Sequence, residues 1–157
     1  MKRLLSGLLA VGSLVVLLVA VTAWAKPTAK HDHKGAKTIT GIEHATTDET
    51  TDTGPNGDSA GDILTFANDV FDRTDTRKVG TDQGYCIRTV KGVAYECNIT
   101  TMLEGGSIVV EGPFYDAKDS VLAITGGTGR YRKARGSMKL SARENGTKFA
   151  FVFHIVR

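Results

Sequence analysis

Residues 84–103 read GYCIRTVKGVAYECNITTML, two runs of alternating apolar and polar side chains joined at Lys91-Gly92. A period of two on either side of a glycine turn is the pattern of a β-hairpin. Cys86 and Cys97 stand one in each arm. A two- or four-residue loop sets them directly opposite one another, about 4.5 to 5.5 Å apart between Cα atoms and within disulfide reach. A three-residue loop with Gly92 left-handed is also a common turn, and it sets Cys86 against Glu96 instead. Spacing alone leaves both registers open.

The same pattern repeats along the chain. From Thr38 onward apolar residues do not fall at the i, i+3, i+4 spacing of a helix, and short alternating runs bounded by Gly and Asp take its place. Predicted strands are Thr38–Thr46, Ile63–Phe71, Gln83–Val90, Val93–Leu103, Ser107–Gly112, Ser120–Thr125, Gly136–Ala142 and Lys148–Val156. Short strands with tight connections, and no helix to cover a sheet face, leave a sandwich or a closed barrel. Residues 46–61, TTDETTDTGPNGDSAG, form an acidic, Thr-rich surface loop at a strand end. In the last strand, Phe149, Phe151, Phe153 and Ile155 alternate with Ala150, Val152, His154 and Val156, so both faces are apolar. Its second face therefore needs cover from a partner subunit or another segment, and His154 reads as a satisfied buried histidine.

Composition bounds the rest. The chain has 157 residues, 41% hydrophobic and 24% charged, which is one domain and too apolar for a disordered chain. Two Cys are too few for a disulfide-built miniprotein. Lys2 and Arg3, the apolar run Leu4–Val21 and the small-x-small site Ala23-Trp24-Ala25 read as a signal peptide cleaved after Ala25. The protein is then secreted or periplasmic, a compartment that favours the Cys86–Cys97 disulfide. Residues 26–37 are polar and read as a flexible N-terminal tail, and 38–157 as the barrel domain. The tail's His31-Asp32-His33 has no fixed third or fourth ligand, so no metal site is expected. The formal charge of +3 owes two of its cations to Lys2 and Arg3, so no basic nucleic-acid surface is expected, and no membrane contact after cleavage. Residues 123–136, AITGGTGRYRKARG, lack the GxxxxGK[ST] phosphate loop and no amphipathic helix follows, so their glycines read as turns and their cations as a solvated edge. Asn98 and Asn145 head glycosylation sequons that matter only in a glycosylating host.

One strand carries a sharper signal. Leu64, Phe66, Asn68 and Val70 share a face by the period of two, which places an amide among large apolar side chains. Asn68 is either a buried amide bonded to neighbouring backbone or a polar group aimed into an apolar ligand cavity lined by Leu64, Phe66 and Val70. Periodicity does not choose between them.

GDILTFANDVFD at 61–72, RKVGTDQGYC at 77–86 and GGSIVVEGPFYDAKDSVLAITGGTGRYRKARGSMKL at 105–140 together resemble the allene oxide cyclase and dirigent barrels. The resemblance implies an all-β fold, an eight-stranded antiparallel barrel with an apolar lumen, commonly trimeric and without a cofactor. It also implies a small apolar ligand or reactive substrate, and isomerase chemistry of the intramolecular-cyclase type. In the plant cyclases a first-strand Glu steers an unstable epoxide through charge separation, while an Asn and a Cys help hold a water on the epoxide oxygen. By motif those roles fall to Glu43, Asn68 and Cys86. A carboxylate in a low-dielectric lumen stabilises a developing cation, which makes the arrangement chemically sensible. Two departures stand out: Ala45 replaces a second polar residue, and Cys97 is additional, so a disulfide to it would remove the Cys86 thiol. An exported cyclase and a non-catalytic dirigent-like binding or structural module are the two readings that remain.

Overall fold

The structure is a computed structural model and describes residues 35–156. The expected signal peptide, most of the expected tail and His31-Asp32-His33 lie outside the described residues. Nine strands follow in order: β1 (Lys37–His44), β2 (Glu49–Thr51), β3 (Ile63–Phe71), β4 (Lys78–Val90), β5 (Ala94–Leu103), β6 (Gly106–Tyr115), β7 (Ser120–Gly127), β8 (Arg135–Arg143) and β9 (Lys148–Val156). Neighbours pair antiparallel in the order β1-β9-β8-β7-β6-β5-β4-β3-β2, and β1 also pairs with β3. That last pairing closes the sheet. β1 runs along the end of β3 and β2 along its beginning, so the two are one interrupted stave of an eight-stranded barrel. Closure leaves no long open edge for another chain to pair with.

Alternation builds the interior. Ile99, Ile108, Val110, Leu122, Met138, Phe151 and Phe153 point inward and are at most 3% exposed, each contributing roughly 1.5–3 kcal/mol by leaving water. The end of the barrel nearest Thr128–Ala134 is closed: Tyr131 and Ala134 are buried, and Gly129 turns left-handed at φ +53 where a side chain would strike the Gly105 carbonyl. Of the glycines in the 123–136 segment Gly129 alone makes a turn, whereas Gly126 and Gly127 continue β7 and Gly136 lies in β8, so the reading of all of them as turns is corrected.

The β4–β5 hairpin has features of both registers. Three residues, 91–93, make the turn, with Gly92 at φ +64, and Val90 opposes Ala94. One extra residue, Thr89, then bulges out of β4, so that Arg88 opposes Tyr95 and Cys86 opposes Cys97. The two cysteines form a disulfide with Cα atoms 4.0 Å apart. The left-handed turn and the disulfide were alternatives in the sequence, and the bulge reconciles them.

Two expectations about β9 are resolved differently. Its inner face is buried as read, but His154 is exposed on the outside, not buried. Ala150 is buried and Val152 half-buried because the turn at 72–77 folds back toward them, with Asp75 bonded to His44 Nε2 at 2.6 Å and to Lys148 Nζ at 2.8 Å. Another segment of the same chain thus supplies part of the cover.

Candidate functional site

The mouth of the barrel is ringed by the segments 45–62, 91–93, 116–119 and 144–147. Beneath it lies an apolar cavity walled by Leu64, Phe66, Ile99, Phe114, Leu140 and Phe149, with the Cys86–Cys97 disulfide in one wall and Glu43 and Asp48 as its polar side. Its empty space is about 370 Å³ counting the open mouth, of which about 50 Å³ admits the centre of a water-sized sphere. A few waters fit there as it stands. A larger guest needs the mouth segments or the phenylalanines to move.

Glu43 comes from β1, where it opposes Val70 across the closing seam, and only 5% of it is exposed. Asn68 stands on the inward face of β3 and is equally buried. Its Nδ2 donates to Glu43 Oε1 at 2.8 Å and to Asp48 Oδ1 at 2.8 Å. Its Oδ1 accepts from the backbone N–H groups of Thr46 and Thr47, each at 3.0 Å, and from Thr47 Oγ1 at 3.1 Å. Asn68 is thus a buried amide bonded to neighbouring backbone; it does not itself line the cavity but fixes a carboxyl, Glu43, that does. The backbone bonds have a local cause, since residues 45–48 leave the ladder between β1 and β2 and Asn68 takes up their donors.

Asp82 on β4 opposes Asn68, and Thr101 on β5 opposes Asp82. Both are at most 1% exposed, and neither the Asp82 oxygens nor the Thr101 hydroxyl has a hydrogen-bond partner. Burial pushes the Glu43 carboxyl up to about 7, helped by the charge of Asp48 and opposed by the Asn68 hydrogen bond. Burial pushes Asp82 further, to about 9, with the adjacent Glu43 charge as the next cause. Two carboxyls that cannot readily both ionise sit side by side, a pair able to hold and release one proton.

Leu64 and Phe66 border the cavity as the alternation implied, whereas Val70 does not. It is buried beyond Asn68, against Gly41, where a side chain on that glycine would collide with it. Cys86 borders the cavity but as half of a disulfide, so the thiol role carried over by motif is unavailable in this state. Asp48, Asp82 and Thr101 were not singled out in the sequence. Asp82 shares the parity of Cys86 and falls one residue before the predicted strand, so a longer strand would have found it; Asp48 lies in a segment with no period to read. Among the described residues no group of three or more His, Cys, Asp or Glu is arranged to hold a metal ion.

A family model described as allene oxide cyclase matches residues 43–156. Among solved structures, a pyocyanin demethylase is 25% identical with a TM-score of 0.66, over 75% of this chain and 99% of that one. A pterocarpan synthase dirigent protein is 16% identical with a TM-score of 0.61, over 78% and 94%. An exo-specific intermolecular Diels–Alderase is 14% identical with a TM-score of 0.62, over 77% and 98%. The last two are likenesses of fold.

Proposed function

The chain belongs to the allene oxide cyclase family, and from that premise we propose that it is an exported barrel whose lumen binds a small apolar molecule and steers its intramolecular cyclisation or isomerisation. The observation that carries this reading is a buried carboxyl, Glu43, clamped by an amide at the polar edge of an otherwise apolar cavity open at one end. Ionised there, Glu43 stabilises positive charge as it develops on the substrate, and the low dielectric strengthens the effect over water. Apolar walls hold the reacting chain folded and exclude water. Asn68 has no free donor left, so it acts as a positioning residue that aims Glu43 and not as a group on the substrate.

One observation favours the second reading, a dirigent-like barrel that binds without chemistry: the disulfide takes away the Cys86 thiol and Asn68 is saturated, which leaves Glu43 the main polar group at the cavity. The two separate in one experiment. The purified protein is incubated with short-lived epoxides of unsaturated apolar chains, and product ring closure and enantiomeric excess are measured against Glu43→Gln. Enantioselective closure that falls by about 10²-fold or more in the variant, with its melting temperature unchanged, supports catalysis. Bound ligand without product supports the binding module. Export is tested by the intact mass of the secreted protein, expected to begin at Lys26.

A further inference from the structure

The charges around the lumen carry information about the ligand, on the footing that the lumen is the ligand site. Glu43, Asp48 and Asp82 converge on the Asn68 amide from β1, the 45–48 segment and β4. Asn68 satisfies one oxygen of Glu43 and one of Asp48, while both oxygens of Asp82, 1% exposed, have no partner. Asp82 faces the Glu43 carboxyl, and a buried pair of acids with no cation opposite is costly, as is the unpartnered Thr101 hydroxyl next to it.

Among the described residues no cation answers these acids from within. By alternation the basic side chains on the lumen side are Lys37, exposed at the far closed end, and Arg88, at the mouth and already committed. Its Nη1 bonds Asp116 at 2.9 and 2.7 Å, its Nε lies 2.6 Å from Asp58, and its Nη2 bonds the Tyr95 hydroxyl at 2.8 Å. His44 and Lys148 flank Glu43 in the sheet but face outward, tied to Asp75. The β9 residue opposite Glu43 is Phe149, which carries no charge.

The approach has the same sign. Residues 45–62 at the mouth carry Asp48, Glu49, Asp52, Asp58 and Asp62 with no Lys or Arg, and in the other mouth segments Asp116, Asp119 and Glu144 outnumber Lys91 and Lys118, whereas the closed end carries Arg130, Arg132 and Lys133 against Glu104. A field so directed draws cations to the mouth. The aromatic walls Phe66, Phe114 and Phe149 suit the same guest, because ring faces attract positive charge. We propose that the lumen selects a small apolar molecule carrying a positive charge, such as a quaternised aromatic nitrogen, with that charge against Glu43 and the apolar body among the phenylalanines, while Asp82 backs Glu43 from outside the cavity lining.

Binding of such a guest is linked to protons. Burial keeps Glu43 and Asp82 protonated above the usual carboxylate range. A cation favours their ionised forms, so it expels a proton on binding. Its affinity therefore rises with pH through the neutral range, by up to about tenfold per unit for each proton released. An uncharged guest of the same shape lacks this dependence.

The test uses three near-isosteric bicyclic probes: 1-methylquinolinium, 1-methylnaphthalene and 1-naphthoate. Each is titrated into the full protein by heteronuclear NMR near pH 6 and again near pH 8. The expected result is methylquinolinium binding about tenfold or more tighter than methylnaphthalene at the higher pH, naphthoate weakest, and only the quinolinium affinity rising with pH. Glu43→Gln/Asp82→Asn should lose the preference for the cation and keep methylnaphthalene binding; Glu43→Gln alone serves if the double variant does not fold. Methylnaphthalene or naphthoate binding as tightly as the cation overturns the charge assignment and leaves the apolar lumen standing. No shifts with any probe, on a protein whose spectrum shows it folded, removes the lumen as a ligand site and this assignment with it.

Discussion

Asn68 joins what a sequence reading keeps apart, because the same amide closes a break in the sheet and holds two carboxyls. Replacing it by Ala unpairs the buried Glu43 carboxyl together with the Thr46 and Thr47 donors and Asp48, which are exposed enough for water to take over in part, and should cost about 1–3 kcal/mol in urea unfolding. A loss under about 1 kcal/mol would show that water replaces the amide and that it is no stitch. Asp82 makes the opposite prediction. Its folded value lies above its unfolded one, so the native state keeps a proton that the unfolded chain gives up. Its own contribution to stability is then fully present on the acid side, below about 4, and is lost as pH rises toward about 9, at up to about 1.4 kcal/mol per pH unit. Asp82→Asn should flatten that fall and raise stability near pH 8, read from urea midpoints at several pH values. An unchanged slope would mean that Asp82 is not the titrating group. Asn68 was visible in the alternation of β3, but its saturation was not, since three of its partners, Thr46, Thr47 and Asp48, lie where the chain has no period.

At the scale of elements, the strands that read cleanly are those whose inward positions are apolar. β3 and β9 fall where the alternation places them, Ile63–Phe71 and Lys148–Val156. β4 begins five residues before the predicted Gln83, at Lys78, because its inward positions there are Gly80, Asp82 and Gly84 and show no apolar pattern. Those glycines have a reason in the strands beside them: a side chain on Gly80 would strike the Met102 carbonyl of β5, and one on Gly84 would meet the Phe66 ring of β3 at 2.8 Å. β6 continues past the predicted Gly112 through Pro113 to Tyr115, since its pairing with β7 ends at Glu111 and the proline's missing donor leaves no β7 bond unmade. The β4–β5 hairpin has its own test. Its disulfide spans 11 residues, so Cys86→Ser/Cys97→Ser should lose about 2–3 kcal/mol while keeping the fold, because the ladder already holds the arms in register. Collapse of the dispersed amide spectrum in that variant would show that the bridge, and not the ladder, sets the register.

For the whole molecule the decisive feature is how the barrel shuts. β5 and β6 pair over ten residues from Ala94↔Tyr115 to Leu103↔Gly106, whereas β1 meets β3 only at Ile42↔Phe71, Glu43↔Val70 and His44↔Asp69. So short a seam is weak by itself, and side chains reinforce it on both faces: Asn68 bonded to Glu43, Thr46 and Thr47 inside, Asp75 bonded to His44 and Lys148 outside. Lys148 and then His44 hold the Asp75 carboxyl below the usual carboxylate range, in keeping with an ionised clasp. Because Glu43 stands on the seam, opening the barrel and disassembling the site are one motion. Native-state hydrogen exchange should therefore find the amides of Ile42, His44, Thr46 and Thr47 exchanging well before those of Ile99 and Val110, through local opening and not global unfolding. Asp75→Asn, which touches no lumen residue, should speed exchange along β1 and β3 and leave β5 and β6 as they were. A ligand seated against Glu43 should slow the same seam amides, since the closed seam is what holds Glu43 in place to receive it. Exchange that is equally slow at the seam and in β5–β6, with no response to Asp75→Asn, would show that the barrel opens only as a whole and that the site is as rigid as its core.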